Sequence, residues 1–192
     1  REWMADEMAA HVWPGLEADD ILGILATRKG APKRIICSQD KDFRSVPGWF
    51  YPDVRPQDTP KATRKAVERI TKAQADRWHM YQTLVGDTAD NYPGCPGIGP
   101  AGAAEMLDEG LKFEPYEHTF MKGARKGETE LRYQKVPSGS HWETVVSAFE
   151  RAEKTKHDAL VQARIARILR VDEYNPKDGK VHLWNPPKGE SA

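Results

Sequence analysis

The stretch from Gly86 to Gly102, GDTADNYPGCPGIGPAG, limits this chain more than any other. Two carboxylates, Asp87 and Asp90, stand close together, and a turn-rich loop follows with Gly94, Gly97 and Gly99. Pro100 sits where the first residue of a helix belongs, a position that tolerates proline because that N–H has no intrahelical partner anyway. Glycines ahead of a helix start let another backbone come close, and helix N-termini favour phosphate. The pattern points to acidic metal ligands beside a phosphate-sized backbone cradle. The competing reading is an interhelical turn with a solvated acidic lead-in.

Two further acidic groups precede this one. The segment LEADDILGILATRKG has a helical apolar side in Ile21, Leu22, Ile24 and Leu25, with Gly30 as its stop. Its first turn carries Glu17, Asp19 and Asp20. Acids there complement the helix dipole, but three of four residues exceed what capping needs, and they repel unless a cation sits among them. Next, RIIC reads as a buried strand, and SQDKDF follows it directly. Asp40 and Asp42 then fall just past the carboxyl end of a strand, where open α/β sheets place their ligands. A surface turn is the plain alternative, and a phosphatase with an aspartate nucleophile a weaker one. An EF-hand is excluded, because Ser45 and Tyr51 stand where its Gly and Glu belong.

Carboxylates gathered in this way need cations to stay ionised, and hard oxygen ligands select Mg²⁺ or Mn²⁺. Two such ions roughly 4 Å apart serve phosphodiester hydrolysis. The totals are compatible. The 192 residues carry 29 basic and 29 acidic side chains, a net charge of zero. That argues against a passive polyanion binder, yet suits a nuclease whose acidic site offsets a basic DNA-facing surface. No run is apolar enough to cross a membrane, so no membrane partner is expected. Cys37 and Cys95 are too few for a disulfide framework and lack zinc-ligand spacing. A reducing, cytoplasmic setting is therefore expected.

The rest of the chain supplies supporting elements. Residues 2–12 carry a helical stripe, and Pro47 to Pro60 is expected to hold an edge strand. Lys61, Arg64, Lys65 and Lys72 form a basic patch for DNA, diluted by Glu68. Thr71 and Gln74 are spaced as a capping box, and the helix they open delivers Gly86 and Asp87. His79 on it reads as packed rather than catalytic. Residues 111–140 read as polar and irregular, with GARKGE as a loop tip. Ser140 caps a helix burying Trp142, Val145, Val146 and Phe149. KHDALVQARIARILR is read as a helix burying Leu160, Val161, Ile165, Ile168 and Leu169, with Arg164, Arg167 and Arg170 solvated. VHLW is expected to add a short strand to the tail.

EADD, SQDKDF and GDTADNYPGCPGIGPAGA, in that order, resemble the 5'-nuclease superfamily, which includes flap endonucleases and the 5' nuclease domains of bacterial DNA polymerases. DALVQARIARILR and the small size are most similar to the 5'→3' exonucleases of short-tailed bacteriophages. The resemblance runs from about Leu16 to Arg170. It implies an α/β fold, a mostly parallel sheet flanked by helices (a PIN-like core), with a helix–three-turn–helix element and C-terminal helices. It further implies a metal-binding core at 14–60, the DNA-binding and helical region at 61–170 and a tail at 171–192. By resemblance, Glu17, Asp19, Asp20 and Asp40 hold the catalytic metal, and Asp42, Asp87 and Asp90 complete a second site. Gly97, Ile98, Gly99, Ala101 and Gly102 match the loop that grips duplex phosphates through backbone N–H groups, in some members with a K⁺ ion. Such contacts position DNA without reading its sequence.

The expected activity is metal-dependent 5'→3' exodeoxyribonuclease action, with or without flap cleavage, by a monomer in the cytoplasm of a bacterial host. The alternative is a non-catalytic duplex-DNA-binding module of the same fold. The family opens with an aspartate-bearing strand and a basic helical arch that these 192 residues lack, so this piece alone is expected to be weak or inactive.

Overall fold

The computed structural model describes residues 10–30, 33–52 and 66–187. In chain order these form α1 (Ala18–Thr27), β1 (Ile35–Cys37), a 3₁₀ turn (Lys41–Ser45), β2 (Gly48–Tyr51), β3 (Glu68–Ile70), α2 (Lys72–Val85) and α3 (Pro100–Asp108). Then come β4 (Leu111–Thr119), β5 (Thr129–Pro137), α4 (His141–Arg151), α5 (Lys156–Ile165), a second 3₁₀ turn (Val171–Glu173), β6 (Tyr174–Asn175) and β7 (Lys180–Val181). The expected α/β class is met. Contacts divide the chain into two units, one running to Trp78 and including Arg167–Trp184, the other covering His79–Ala166 and the residues from Asn185.

The first unit is built on a three-stranded sheet in the order β1-β2-β3. β1 pairs parallel with β2, and β2 pairs antiparallel with β3, so one of the two described pairings is parallel. In the stretch 47–60, expected to hold an edge strand, Gly48–Tyr51 forms the middle strand of the three, and residues 53–60 lie outside the described residues. RIIC does form a strand, but only Ile36 is buried, while Ile35 and Cys37 are exposed. A strand covered on one face shows alternation rather than a continuous buried run. Phe43, Val46, Phe50, Ile70 and Ile168 close the core, the two Phe rings tilted at 6.4 Å between centroids. α1 buries Ile21, Gly23 and Ile24, while Leu22 stays exposed. Trp13 stacks on Tyr174, and of the short strand expected at VHLW only Val181 is in a strand: β7 is Lys180–Val181, paired with β6, and residues 182–184 lie outside it.

Two arginines expected in solvent belong to this core. Arg170 is 5% exposed and Arg167 ion-pairs with Glu173 at 2.9 Å, both side chains nearly enclosed. The sequence reading failed here because a helix was extended over them. α5 stops at Ile165, and residues 167–170 belong to no helix or strand. α5 itself buries Ala159 and Ala163, and Val161 and Ile165 are exposed, so its packed stripe is made of small residues rather than the bulky ones expected.

The second unit carries the main departure from the sequence reading. Residues 111–140 are not irregular: β4 and β5 form an antiparallel hairpin paired in register from Leu111↔Pro137 to Thr119↔Thr129. Most of its side chains face solvent, which removes the alternation that marks a half-buried strand. Its hold on the unit is at the base, where Ser147 Oγ accepts the Phe113 N–H at 3.0 Å and Arg151 lies over the Phe113 ring. The GARKGE segment does form the hairpin's tip. α4 has the expected Ser140 cap on the Glu143 N–H and buries Trp142, Val145, Val146 and Phe149. α5 opens with a capping box between Thr155 and Asp158.

Candidate metal and nucleic-acid site

The loop after α2 is held by backbone before any side chain acts. Asp87 and Tyr92 exchange two backbone hydrogen bonds, of 2.9 and 3.0 Å, and close a tight turn with Asn91 at φ 60°. Asp87 Oδ1 accepts the Ala89 N–H at 2.9 Å inside this turn. Gly86 and Gly94, both at positive φ, then press backbone on backbone. A Cβ on Gly94 would lie 2.4 Å from Gly86 N, and one on Gly86 2.5 Å from Gly94 N. Only glycine fits either place. The Cys95 N–H donates to Leu84 O at 2.8 Å, and the Gly94 N–H to Gln162 Oε1 at 3.0 Å. Burial pushes the Cys95 thiol up to about 11, so this cysteine is a packed thiol rather than a nucleophile.

This frame places Asp87 and Asp90 so that each can offer a carboxylate oxygen within 4.8 Å of the other. Downstream the chain opens out. A Cβ added at Gly97, Gly99 or Gly102 would meet nothing within 4 Å. Gly99 is the N-cap of α3 and has no side chain to satisfy the helix's first N–H groups. The N–H groups of Ala101 and Gly102 therefore emerge beside bare backbone, with Ile98 half-buried ahead of them.

The other two acidic groups lie in the first unit. Asp40 caps the 3₁₀ turn, its Oδ1 accepting the Asp42 N–H at 2.8 Å, and Ser45 Oγ donates back to Asp42 O at 2.7 Å. Glu17 is the exposed N-cap of α1, with Asp19 and Asp20 half-buried in its first turn. Asp20 Oδ1 accepts the Leu169 N–H at 3.0 Å, a partner nothing in the sequence foretold. Among the described residues, Glu17, Asp19, Asp20 and Asp40 do not gather three oxygens at the spacing seen for Asp87 and Asp90.

The donor chemistry fits hard divalent cations: every candidate ligand is a carboxylate oxygen, and Asp20 and Asp40 are each oriented by a backbone N–H, as ligating carboxylates commonly are. Of the basic patch, Lys72 is exposed and paired with Asp76 at 2.5 Å, whereas Lys61, Arg64 and Lys65 lie outside the described residues. Thr71 and Gln74 do form the expected capping box ahead of α2. His79 is buried with Nε2 2.6 Å from Ala163 O, a packed residue as read.

Comparison with known proteins agrees with this chemistry. No family model and no solved structure matches the chain. By sequence, however, the chain is similar to proteins named as exonucleases and flap endonucleases, and to DNA polymerases I. It is 35% identical over 179 residues to the exodeoxyribonuclease of Enterobacteria phage T3, covering 90% of this chain and 56% of that protein. It is 34% identical over 179 residues to the exonuclease of Escherichia phage T7, covering 90% and 57%. The 5'-3' exonuclease of Aquifex aeolicus is 32% identical over 133 residues, covering 64% of this chain and 45% of that one. The chain thus spans about half the length of the curated relatives it matches.

Proposed function

We propose that the protein is a divalent-metal-dependent 5'→3' exodeoxyribonuclease acting at duplex DNA ends, with flap cleavage as a related activity. The observation that carries this reading is the coupling of two features in one rigid loop. Asp87 and Asp90 are paired within 4.8 Å, and an open, glycine-lined helix start follows directly. Gly97 and Gly99 are exposed, and an added Cβ at Gly97, Gly99 or Gly102 would meet nothing within 4 Å, which leaves this backbone approachable.

In this reading Glu17, Asp19, Asp20 and Asp40 hold one Mg²⁺ or Mn²⁺, and Asp42, Asp87 and Asp90 hold a second. Such ions lower the pKa of a water nucleophile and offset charge on the leaving oxygen. The protein's own part is placement. The Asp87–Tyr92 turn fixes the Asp87 and Asp90 carboxylates, and Asp40 is fixed by its cap on the 3₁₀ turn. The end of α2, the glycine loop and α3 act as the helix–three-turn–helix. The backbone N–H groups of Gly97, Gly99, Ala101 and Gly102 would face a duplex phosphate strand, and the same loop would hold a K⁺ ion that offsets phosphate charge. Lys61, Arg64, Lys65 and Lys72 add sequence-independent attraction. The core takes the PIN-like, mostly parallel arrangement of the family, and the enzyme works as a monomer in the host cytoplasm.

The test is hydrolysis of 5'-labelled duplex and flapped DNA by the full-length protein with Mg²⁺. Release of 5' mononucleotides or short oligomers, lost in Asp87→Ala, is expected. Intact substrate, or an Asp87→Ala protein as active as the parent, would overturn the reading. DNA binding without hydrolysis would favour the non-catalytic module.

A further inference from the structure

The segment Ile168–Val171 lies along one face of α1 as a strap. The Leu169 N–H donates to Asp20 Oδ1 at 3.0 Å, and the Val171 N–H donates to Thr27 Oγ1 at 2.9 Å. Between these contacts the backbone of Leu169 presses on Gly23, where a Cβ would lie 2.4 Å from Leu169 O. Asp20, Gly23 and Thr27 are spaced to share one helix face. The strap therefore follows the helix from its acidic first turn to its last.

Arg170, on the same strap, reaches the other way. Its Nη2 donates to Ser45 O at 2.8 Å, and its Nη1 pairs with Asp76 Oδ1 at 2.7 Å. Ser45 ends the 3₁₀ turn that Asp40 caps, and its hydroxyl is bonded to Asp42 O. The Arg170 N–H is in turn fixed by Glu173 at 2.8 Å. One buried guanidinium and one backbone N–H, on adjacent residues, thus tie the Asp20 carboxylate to the turn that bears Asp40 and Asp42. A core built for stability alone has no need of this. A buried arginine gives little over apolar packing, and here its Nε atom is left buried without a partner.

We infer that Arg170 is a positioning residue for the metal-binding carboxylates: it sets the Asp40–Asp42 turn at a fixed distance from Asp20. The inference rests on the proposed metal site. It reaches beyond that reading in assigning a role to a residue that carries no metal-ligand chemistry. The planar fork matters because Ser45 O and Asp76 are held by two different nitrogens at a fixed separation, which a single lysine ammonium does not reproduce.

The test is Mn²⁺ titration calorimetry on the full-length protein and on Arg170→Lys and Arg170→Ala, with thermal unfolding of each apoprotein alongside. Removing partners that orient ligands typically weakens metal binding about 10–100-fold. Arg170→Lys is expected to stay folded, with its unfolding temperature near the parent's, while Mn²⁺ affinity falls by about tenfold or more. Arg164→Ala, a change at an arginine bonded to Asn185 in the other unit, is expected to leave affinity unchanged. A folded Arg170→Lys or Arg170→Ala protein with parental Mn²⁺ affinity overturns the inference. So does an Arg170→Lys protein that does not fold, which would make the residue a general core element. A parent that binds no Mn²⁺ would instead remove the underlying metal site.

Discussion

Gly94→Ala probes the loop that carries the candidate site, and its cost can be worked from the geometry. Gly94 has φ 68°, and a left-handed alanine costs about 1–2 kcal/mol. The added Cβ would also lie 2.4 Å from Gly86 N and 2.6 Å from Leu84 O, backbone atoms that cannot rotate away. The loop must lift, and with it go the Cys95 N–H to Leu84 O bond and the Gly94 N–H to Gln162 bond, each about 1 kcal/mol. The sum is roughly 3–4 kcal/mol, and at about 2–4 °C per kcal/mol the melting temperature should drop by roughly 10 °C. Thermal and urea unfolding followed by circular dichroism measure it. Gly102→Ala is the matched control, since it lies in α3 with open space around it and should be neutral or stabilising by up to about 1 kcal/mol. A Gly94→Ala loss below about 1 kcal/mol would refute the close approach of the two backbones.

Gly102→Ala should nevertheless weaken duplex DNA binding several-fold and flatten its salt dependence, read by fluorescence anisotropy at two salt concentrations; unchanged binding would remove this backbone from the interface. Arg167→Ala leaves Glu173 buried without its ion-pair partner and should cost about 3–5 kcal/mol in urea unfolding. Glu143 is held below the ordinary carboxylate range by the Gly139 N–H first and Lys112 second, and Asp158 by the Thr155 N–H and hydroxyl. A depressed folded-state pKa gives stability that is present above the ordinary values of 4.5 and 3.8 and lost as pH falls through the folded values. Glu143→Gln should therefore make the acid limb of stability shallower, with the difference from the parent vanishing at the lowest pH.

The parts of the fold legible in the sequence are those that local chemistry dictates. Thr71 with Gln74 and Ser140 ahead of Trp142 marked helix starts, and Pro100 behind Gly99 marked another, because capping groups must sit at fixed offsets from the helix they open. The turn-rich character of Asn91–Gly99 was equally plain. Features set by pairing at a distance were not. The β4–β5 hairpin is held by backbone register between largely exposed strands, so its side chains carry no period to read. Arg170 looked solvated because its guanidinium partners, Ser45 and Asp76, are brought to it only by tertiary packing, and Arg167 because its own segment reads as helix and its partner Glu173 lies in the 3₁₀ turn beyond. The Leu169 N–H on Asp20 is a backbone donor reaching across the chain from 149 positions away, and no residue type records it. Of the candidate ligands, the pairing of Asp87 with Asp90 follows from their turn.

The assignment of these carboxylates to a pair of metal ions is the central claim, and a double-mutant cycle in Mn²⁺ affinity tests it most directly. Asp40→Asn, Asp87→Asn and the double variant of the full-length protein would be titrated by calorimetry. Ligands of one coupled pair of ions act as a unit, so each single change should lower affinity by at least about tenfold, with the double variant losing clearly less than the product of the two. Losses that multiply without coupling, or an Asp40→Asn protein that binds Mn²⁺ like the parent, would contradict the assignment of these carboxylates to one coupled pair of ions.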